Sequence, residues 1–472
     1  MKANTLDRLG VKVGYQAELD LGYLPGVKVM ERYRELVKEL AGGLGGAEKL
    51  VIGIEGSGGQ LSRKELEILP QGSGWDEETF FIVERTVKFL LWAWGGHRVY
   101  LGGARWIGEK LAAAYSRTGT RKFDVDLMER VYGCDFEVKL MEAEEVPAAV
   151  EEVSSVGGHL DGCRIGFDLG ASDYKLAAVK DGEAVFSTEI PWDPKNQADS
   201  GYHYEKISEG FKLAASHLPR VDAIGGSSAG VYVNNRPMVA SLFRSVPAEE
   251  FETKVKPMYE KLGKEWGVPL VVINDGDVTA LAGAMSLQKP GMLGIAMGSS
   301  EAVGFISRKG GIMGWLNELA FAPVDFNEGT ARDEWSGDFG VGALYFSQQA
   351  VNKLAPAAGL SFPDEMDLPE RLKEVQKLAD AGDDAALAIF RTIGVYLGYT
   401  LPYYAEFYDF EDLLILGRVT SGRGGEEILR IAREILDQEF PELAKKVSLH
   451  VPDEKSRRVG QAVAAASLPR LK

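Results

Sequence analysis

The chain has 472 residues, 45% hydrophobic and 26% charged, with 70 acidic against 53 basic side chains and a formal net charge of −17. That length exceeds one hydrophobic core and predicts a multi-domain globular protein, while the acidic balance argues against a basic nucleic-acid-binding face or a polybasic lipid-binding patch. Cys134 and Cys163, the two cysteines, make no metal-ligand cluster and suit a reducing compartment.

Residues 1 to 8 lack the apolar core of a signal peptide, and apolar runs such as Phe89–Trp94 fall short of a membrane span. The expectation is a cytoplasmic protein without membrane contact. Residues 1–160 read as an α/β region of their own, of unknown role: a helix over 28–40, a buried strand over 49–54, a helix over 77–94, a strand at 99–101 and a helix over 106–115. Gly56-Ser57-Gly58-Gly59 and Gly102-Gly103 read as tight loops rather than ligand turns. A charged helical connector is expected over 142–156.

From Arg164 to Val179 the chain reads as an apolar strand, a small-residue turn with a carboxylate, and a second apolar strand. A third strand is expected at 184–187. Within this hairpin, Asp168 before Gly170, with Ser172 beyond, suits a phosphate tail. Glycine lets backbone approach phosphate oxygens, and turn N–H groups cradle anions. A carboxylate there organises Mg2+ through water, because Mg2+ keeps several of its waters. The plain alternative is an ordinary hairpin with Asp at its turn. A strand over 223–227 runs into a small-residue loop. Another, over 268–273, ends at Asn274-Asp275-Gly276-Asp277 before a helix over 278–287, with Asp277 expected to cap that helix. The strand 291–296 ends at Gly298-Ser299-Ser300, and 301–307 returns as its partner. Helices follow over 343–354, 368–378 and 384–404, then a strand over 413–416, a helix over 426–436 and a closing helix over 457–466. Ligands in α/β folds sit at the carboxyl ends of strands, and these loops lie there. None of the five histidines stands in a metal-pair spacing.

The order of these motifs resembles the ROK family of sugar kinases, within the actin-like/hexokinase ATPase superfamily, over residues 161–472. The family hairpin D-x-G-G-T-x-x-K is met by Asp168 to Lys175, its catalytic N-D by Asn274-Asp275, and its P-G loop by Ala229-Gly230. Its second phosphate loop G-T-G-x-G is met by Gly298 to Ala302, its substrate motif G-E-x-G-H by Asn317 to Phe321, and its adenosine loop by Gly417 to Gly422. The sequence departs where the family histidine becomes Phe321, a second sugar-contacting glutamate becomes Ala343, and Trp335 to Gly342 stands in place of the zinc-binding cysteines. In the second phosphate loop, Ser300 and Ala302 replace glycines and Glu301 brings a negative charge.

The resemblance implies an α/β, actin-like ATPase (ribonuclease H-like) fold of two lobes, 161–290 and 291–472, with the closing helix a candidate to pack back on the first lobe. It further implies an ATP-dependent phosphotransferase acting on a sugar or polyol, with ATP and Mg2+ as cofactors. Asp275 would be the general base, and Asn274, Glu318 and Gly230 would bind the acceptor. Asp168, Gly170, Ser172, Lys175, Gly298, Ser299, Ser300, Gly417, Arg418 and Thr420 would hold phosphate or nucleotide, Asp168 organising Mg2+ through water, with no zinc site. For Lys175 a solvated strand-face lysine is the alternative. The family also includes repressors with a basic helix-turn-helix, a signature missing here, so no nucleic-acid partner is expected; a homodimer is a candidate assembly. The rival is a non-catalytic sugar- or nucleotide-binding regulator of the same fold.

Overall fold

The structure, a computed structural model, describes residues 4–150, 157–170, 172–451 and 454–471. The N-terminal region carries α1 (Gly26–Leu40), β1 (Glu48–Glu55), β2 (Leu61–Ile68), α2 (Asp76–Ala93), β3 (Arg98–Gly103), α3 (Arg105–Ala114), α4 (Lys122–Tyr132) and β4 (Glu137–Met141). Its four strands form a mixed sheet in the order β2-β1-β3-β4. The expected helical connector is absent over its described part. Ala143–Glu145 make one helical turn with a capping box, and Val150 then bridges to Leu61. Pro147 explains the break, since it lacks an N–H and disfavours helix in the residue before it. Residues 151–156 of that connector lie outside the described residues. Gly56 to Gly59 form a tight turn, whereas Gly102 and Gly103 are no loop: they end β3, paired with Val51 and Leu50 of β1, where the close backbone of Glu142 and Lys49 leaves no room for a side chain.

The next sheet has β5 (Cys163–Leu169), β6 (Asp173–Lys180), β7 (Glu183–Pro191), β8 (Ala223–Ser228) and, beyond a short ribbon of β9 (Val231–Val233) and β10 (Arg236–Val239), β11 (Leu270–Asn274). Its order is β11-β8-β5-β6-β7. β5, β8 and β11 run parallel and β5-β6-β7 form an antiparallel meander. Helices α5 (Ser200–Ala215), the short α6 (Ala248–Glu250) and α7 (Met258–Trp266) pack around this sheet on a core that includes Phe167, Phe211, Tyr259 and Leu262. α8 (Asp275–Leu287) leads to the last sheet, built from β12 (Met292–Met297), β13 (Glu301–Ile306), β14 (Asp412–Leu416) and β15 (Ser448–His450) in the order β13-β12-β14-β15. Around it lie α9 (Gln348–Leu354), α10 (Leu368–Asp380), α11 (Asp384–Tyr404), α12 (Gly422–Glu439) and the short α13 (Pro441–Ala444), and the chain closes with α14 (Glu454–Ala466). The helix expected to run unbroken over 343–354 is split: a single turn at Gly342–Leu344 precedes α9, because the Ser347 hydroxyl accepts from the Gln349 amide and starts a new helix there.

Two packing features position the cleft. One continuous core joins the N-terminal region to the last sheet, with Leu50, Val83 and Leu90 in the same cluster as Ile295, Phe305, Tyr403 and Ile415. α14 returns to the first lobe, its backbone at Ala462 and Ala465 lying against Gly166 and Gly225, where any side chain would collide. α11 is long and apolar enough to cross a membrane, unlike the shorter runs visible in the sequence, and 89% of its most apolar window is buried inside the protein. Gly394 and Gly398 bring it close to Ile431 and Ile435 of α12.

Candidate functional site

The strand register builds the first corner of the cleft. β6 places Lys175 opposite Asp168, and β8 places Ser227 beside it. The lysine Nζ donates to Asp168 Oδ2 at 2.9 Å and the Ser227 hydroxyl to Oδ1 at 2.7 Å. Lys175 is therefore a cross-strand partner of the carboxylate. Burial disfavours its charge, yet Asp168 more than offsets that and raises its pKa. Gly170 donates its N–H to the Asp173 carbonyl and accepts from Trp192 Nε1, which closes the turn; the Ser172 hydroxyl contacts Asp173 Oδ2 at the surface.

At the end of β11, Asn274 caps α8. Its Oδ1 accepts the Gly276 N–H at 2.7 Å, while its Nδ2 donates to the Gly230 carbonyl at 2.8 Å and reaches Glu318 Oε1 at 3.5 Å. The cap is thus Asn274 and not Asp277, which lies inside the first turn of α8. Asp275 opens that helix. Burial, with Asp168 nearby, raises its pKa to about 6, against the opposite pull of a helix N-terminus. Gly276 allows the start of α8 to lie directly on the β13 backbone at Val303 and Gly304.

Glu318 follows Asn317, which sits in the left-handed region at φ 53°, a conformation asparagine tolerates better than most residues. Asn317 donates to Asp277 Oδ1 at 2.9 Å and accepts from the Tyr408 hydroxyl at 3.1 Å. Burial and the Asp275 and Asp277 carboxylates raise Glu318 to about 8. Burial raises Asp277 to about 7. Glu301 does not face the hairpin turn as its position beside Ser300 suggested. It points inward, 4% exposed, against Gly342 and within 3.4 Å of the Tyr404 hydroxyl. Burial raises its pKa to about 8. The reach of Tyr404 and Tyr408 to Glu301 and Asn317 is supplied only by the tertiary fold.

The loops at 298–300 and 417–422 are more open. Gly298 donates to the Ser300 carbonyl and accepts from the Gln348 amide, leaving Ser299 and Ser300 exposed at the β12–β13 turn. Gly417, at φ 103°, packs its Cα against the Met297 backbone and so brings the 417–422 loop beside that turn. Arg418 is exposed. Thr420 is buried and its hydroxyl donates to the Gly417 carbonyl at 3.0 Å, so its side chain holds the loop rather than facing outward.

The positions that depart from the family pattern are filled from the N-terminal region. Phe321 packs 4.5 Å from Trp92 and 5.5 Å from Phe123, ring centroid to centroid. In the stretch 335–342, Asp338 meets Arg85 and Arg121 at 2.7 Å each and Lys88 at 3.1 Å. Ala343 is buried in its single helical turn. Among the described residues, no three His, Cys, Asp or Glu side chains converge as a ligand set for a metal ion. Asp168, with both oxygens already held by Lys175 and Ser227, fits a cation bound through water better than one bound directly.

No family profile matches the sequence, and comparison with curated proteins finds no relative. Solved structures do match. A ROK family transcriptional regulator, described as a homologue of the E. coli MLC protein, aligns at 19% identity over 65% of this chain and 78% of its own, with a TM-score of 0.52. A ROK hexokinase from Thermus thermophilus aligns at 17% identity over 64% of this chain and 97% of its own, TM-score 0.49. A ROK glucokinase from Streptomyces griseus, solved with glucose and AMPPNP, aligns at 19% identity over 64% and 99%, TM-score 0.47. The chain therefore shares the α/β fold of the ROK regulator over 65% of its length.

Proposed function

We propose that the protein is a divergent ROK member and an ATP-dependent phosphotransferase acting on a hydroxyl of a sugar or polyol, with Asp275 as general base. The observation that carries this is the separation of two neighbouring carboxyl groups. Burial raises both, Asp275 to about 6 and Glu318 to about 8, so Asp275 gives up its proton before Glu318 does. Groups pushed apart in this way divide the roles of proton acceptor and hydrogen-bond partner. Asp275 accepts the acceptor hydroxyl's proton as that oxygen bonds to the transferred phosphorus and the bond to the ADP oxygen breaks. Glu318, beside the Asn274 amide, gives the polar contacts that orient a polyol.

On the other side of the cleft, the backbone of 169–172, the hairpin at Gly298, Ser299 and Ser300, and the loop from Gly417 through Arg418 to Thr420 would take the nucleotide. Mg2+, bound with ATP near Asp168 through water, would neutralise phosphate charge. Scarce cysteines support a cytoplasmic setting, and with so acidic a composition no nucleic-acid or membrane partner is proposed; a homodimer is the assembly to test.

A second reading, a non-catalytic regulator that binds sugar or nucleotide, is favoured by Ser300 and Ala302 in place of glycines in the second phosphate loop, and by a regulator among the proteins that share the fold. ADP release with Mg-ATP across a panel of sugars and polyols separates the two. Acceptor-dependent release supports the kinase. No release with any acceptor, together with sugar-dependent thermal stabilisation, supports the regulator.

A further inference from the structure

The last turn of a helix leaves carbonyls without partners inside the helix. In α2 these are taken up by the acceptor loop: the N–H groups of Leu316, Asn317 and Glu318 donate to the carbonyls of Trp94, Ala93 and Trp92 at 3.1, 3.0 and 3.0 Å. One and two turns earlier, α2 presents Lys88 and Arg85 to Asp338, which ends the loop returning toward Gly342. Arg121, at the start of α4, completes the set and also pairs with Glu84 of α2. Lys88 further contacts Asp124 at 2.8 Å, and Asp124 accepts from Trp92 Nε1. The cations Arg85, Lys88 and Arg121 thus face the carboxylates Glu84, Asp124 and Asp338 in a buried, charge-balanced cluster. Arg85 also donates to the Phe339 carbonyl at 2.7 Å, fixing the backbone beside Asp338. Phe321 is packed on Trp92 between these two anchors.

We infer that Asp338 and its cations Arg85, Lys88 and Arg121 are positioning residues for the acceptor site: they clamp the N-terminal region onto the loop that carries Glu318 and thereby set where that carboxyl stands relative to Asn274 and Asp275. The inference rests on the phosphotransferase reading for its kinetic consequence but not for its structural one. A buried pair broken on one side leaves uncompensated charge, so the clamp should loosen locally when Asp338 loses its charge. Removing it should free the amides of 316–318 while leaving the nucleotide-facing turn at 298–300 unaffected, because that turn is held by Gln348.

The test is hydrogen exchange followed by mass spectrometry on the full chain, wild type against Asp338→Asn, with acceptor and ATP KM measured in parallel. The expected result is exchange about tenfold faster or more over 316–321, unchanged exchange over 298–300, and a raised acceptor KM with the ATP KM unmoved. Unchanged exchange at 316–321, or equal loosening of every cleft segment, overturns the inference. Should Asp338→Asn fail to fold, Arg121→Gln, which leaves Arg85 and Lys88 on Asp338, carries the same readouts. If the wild type turns over no acceptor, the kinase reading fails while the exchange result still decides whether the clamp exists.

Discussion

The two sides of the cleft are built differently. On the side proposed for the acceptor, Asn274, Asn317 and Asp277 are tied to backbone or to one another, and the carboxyls Asp275, Glu301 and Glu318 have raised pKa values, Glu301 buried and the other two half-buried. On the side proposed for the nucleotide, Ser172, Ser299, Ser300 and Arg418 are exposed on turns, and the ordered contacts there are mostly backbone ones. Chemistry that depends on a displaced pKa needs a rigid, dry surround. A phosphate tail needs glycine-lined backbone and the cations that travel with it. On the phosphotransferase reading proposed above, the acceptor geometry would be preformed and the nucleotide would order its own half of the site.

The largest effect expected on this contrast is at Asp275. Asp275→Asn removes the base and should lower turnover by roughly 10²–10⁴-fold while nucleotide binding, followed by fluorescence or calorimetry, persists; loss of both together would merge the two sides. Gly298→Ala probes the opposite side. Its Cβ would meet only the Ser300 carbonyl oxygen, at 3.7 Å, so the melting temperature should hold while the ATP KM rises by about tenfold as backbone approach to phosphate is blocked. An unchanged ATP KM would remove that turn from the nucleotide site. The pH profile of turnover should climb through about pH 6 as Asp275 gives up its proton, and a limb set near the ordinary carboxylate range would argue that Asp275 is solvated. The smallest effect is on stability. Glu301 is raised from 4.5 to about 8, so its contribution is fully present below its ordinary value and is lost as pH rises through about 8. Glu301→Gln should flatten the decline of melting temperature over that window by about 2 °C or more, and a decline as steep as in the wild type would show that Glu301 is not buried.

Much of the cleft was legible because its signals are local. The Asp168 hairpin alternates apolar residues around a small-residue turn, and Asn274-Asp275 ends a β-branched strand before an apolar helix. What escaped is what only tertiary packing decides. Nothing in the spacing of Arg85, Lys88 and Trp92 says that their helix ends against the Glu318 loop, because the partner Asp338 lies far along the chain. Glu301 looked like a charge on a turn, yet strand alternation sends it inward beneath that turn. Asp277 looked like a helix cap, but Asn274 reaches the free N–H first and leaves Asp277 to Asn317. The connector over 142–150 failed as a helix for a reason present in the sequence, Pro147.

The central claim is that a phosphoryl group passes from ATP to an acceptor hydroxyl in this cleft. Mass spectrometry and phosphorus NMR of the acceptor, after incubation of the full chain with Mg-ATP and each member of a sugar and polyol panel, test it most directly. The account predicts a phosphorylated acceptor formed in step with ADP and missing with Asp275→Asn. A panel in which sugars bind and stabilise the protein but none gains phosphate would contradict it.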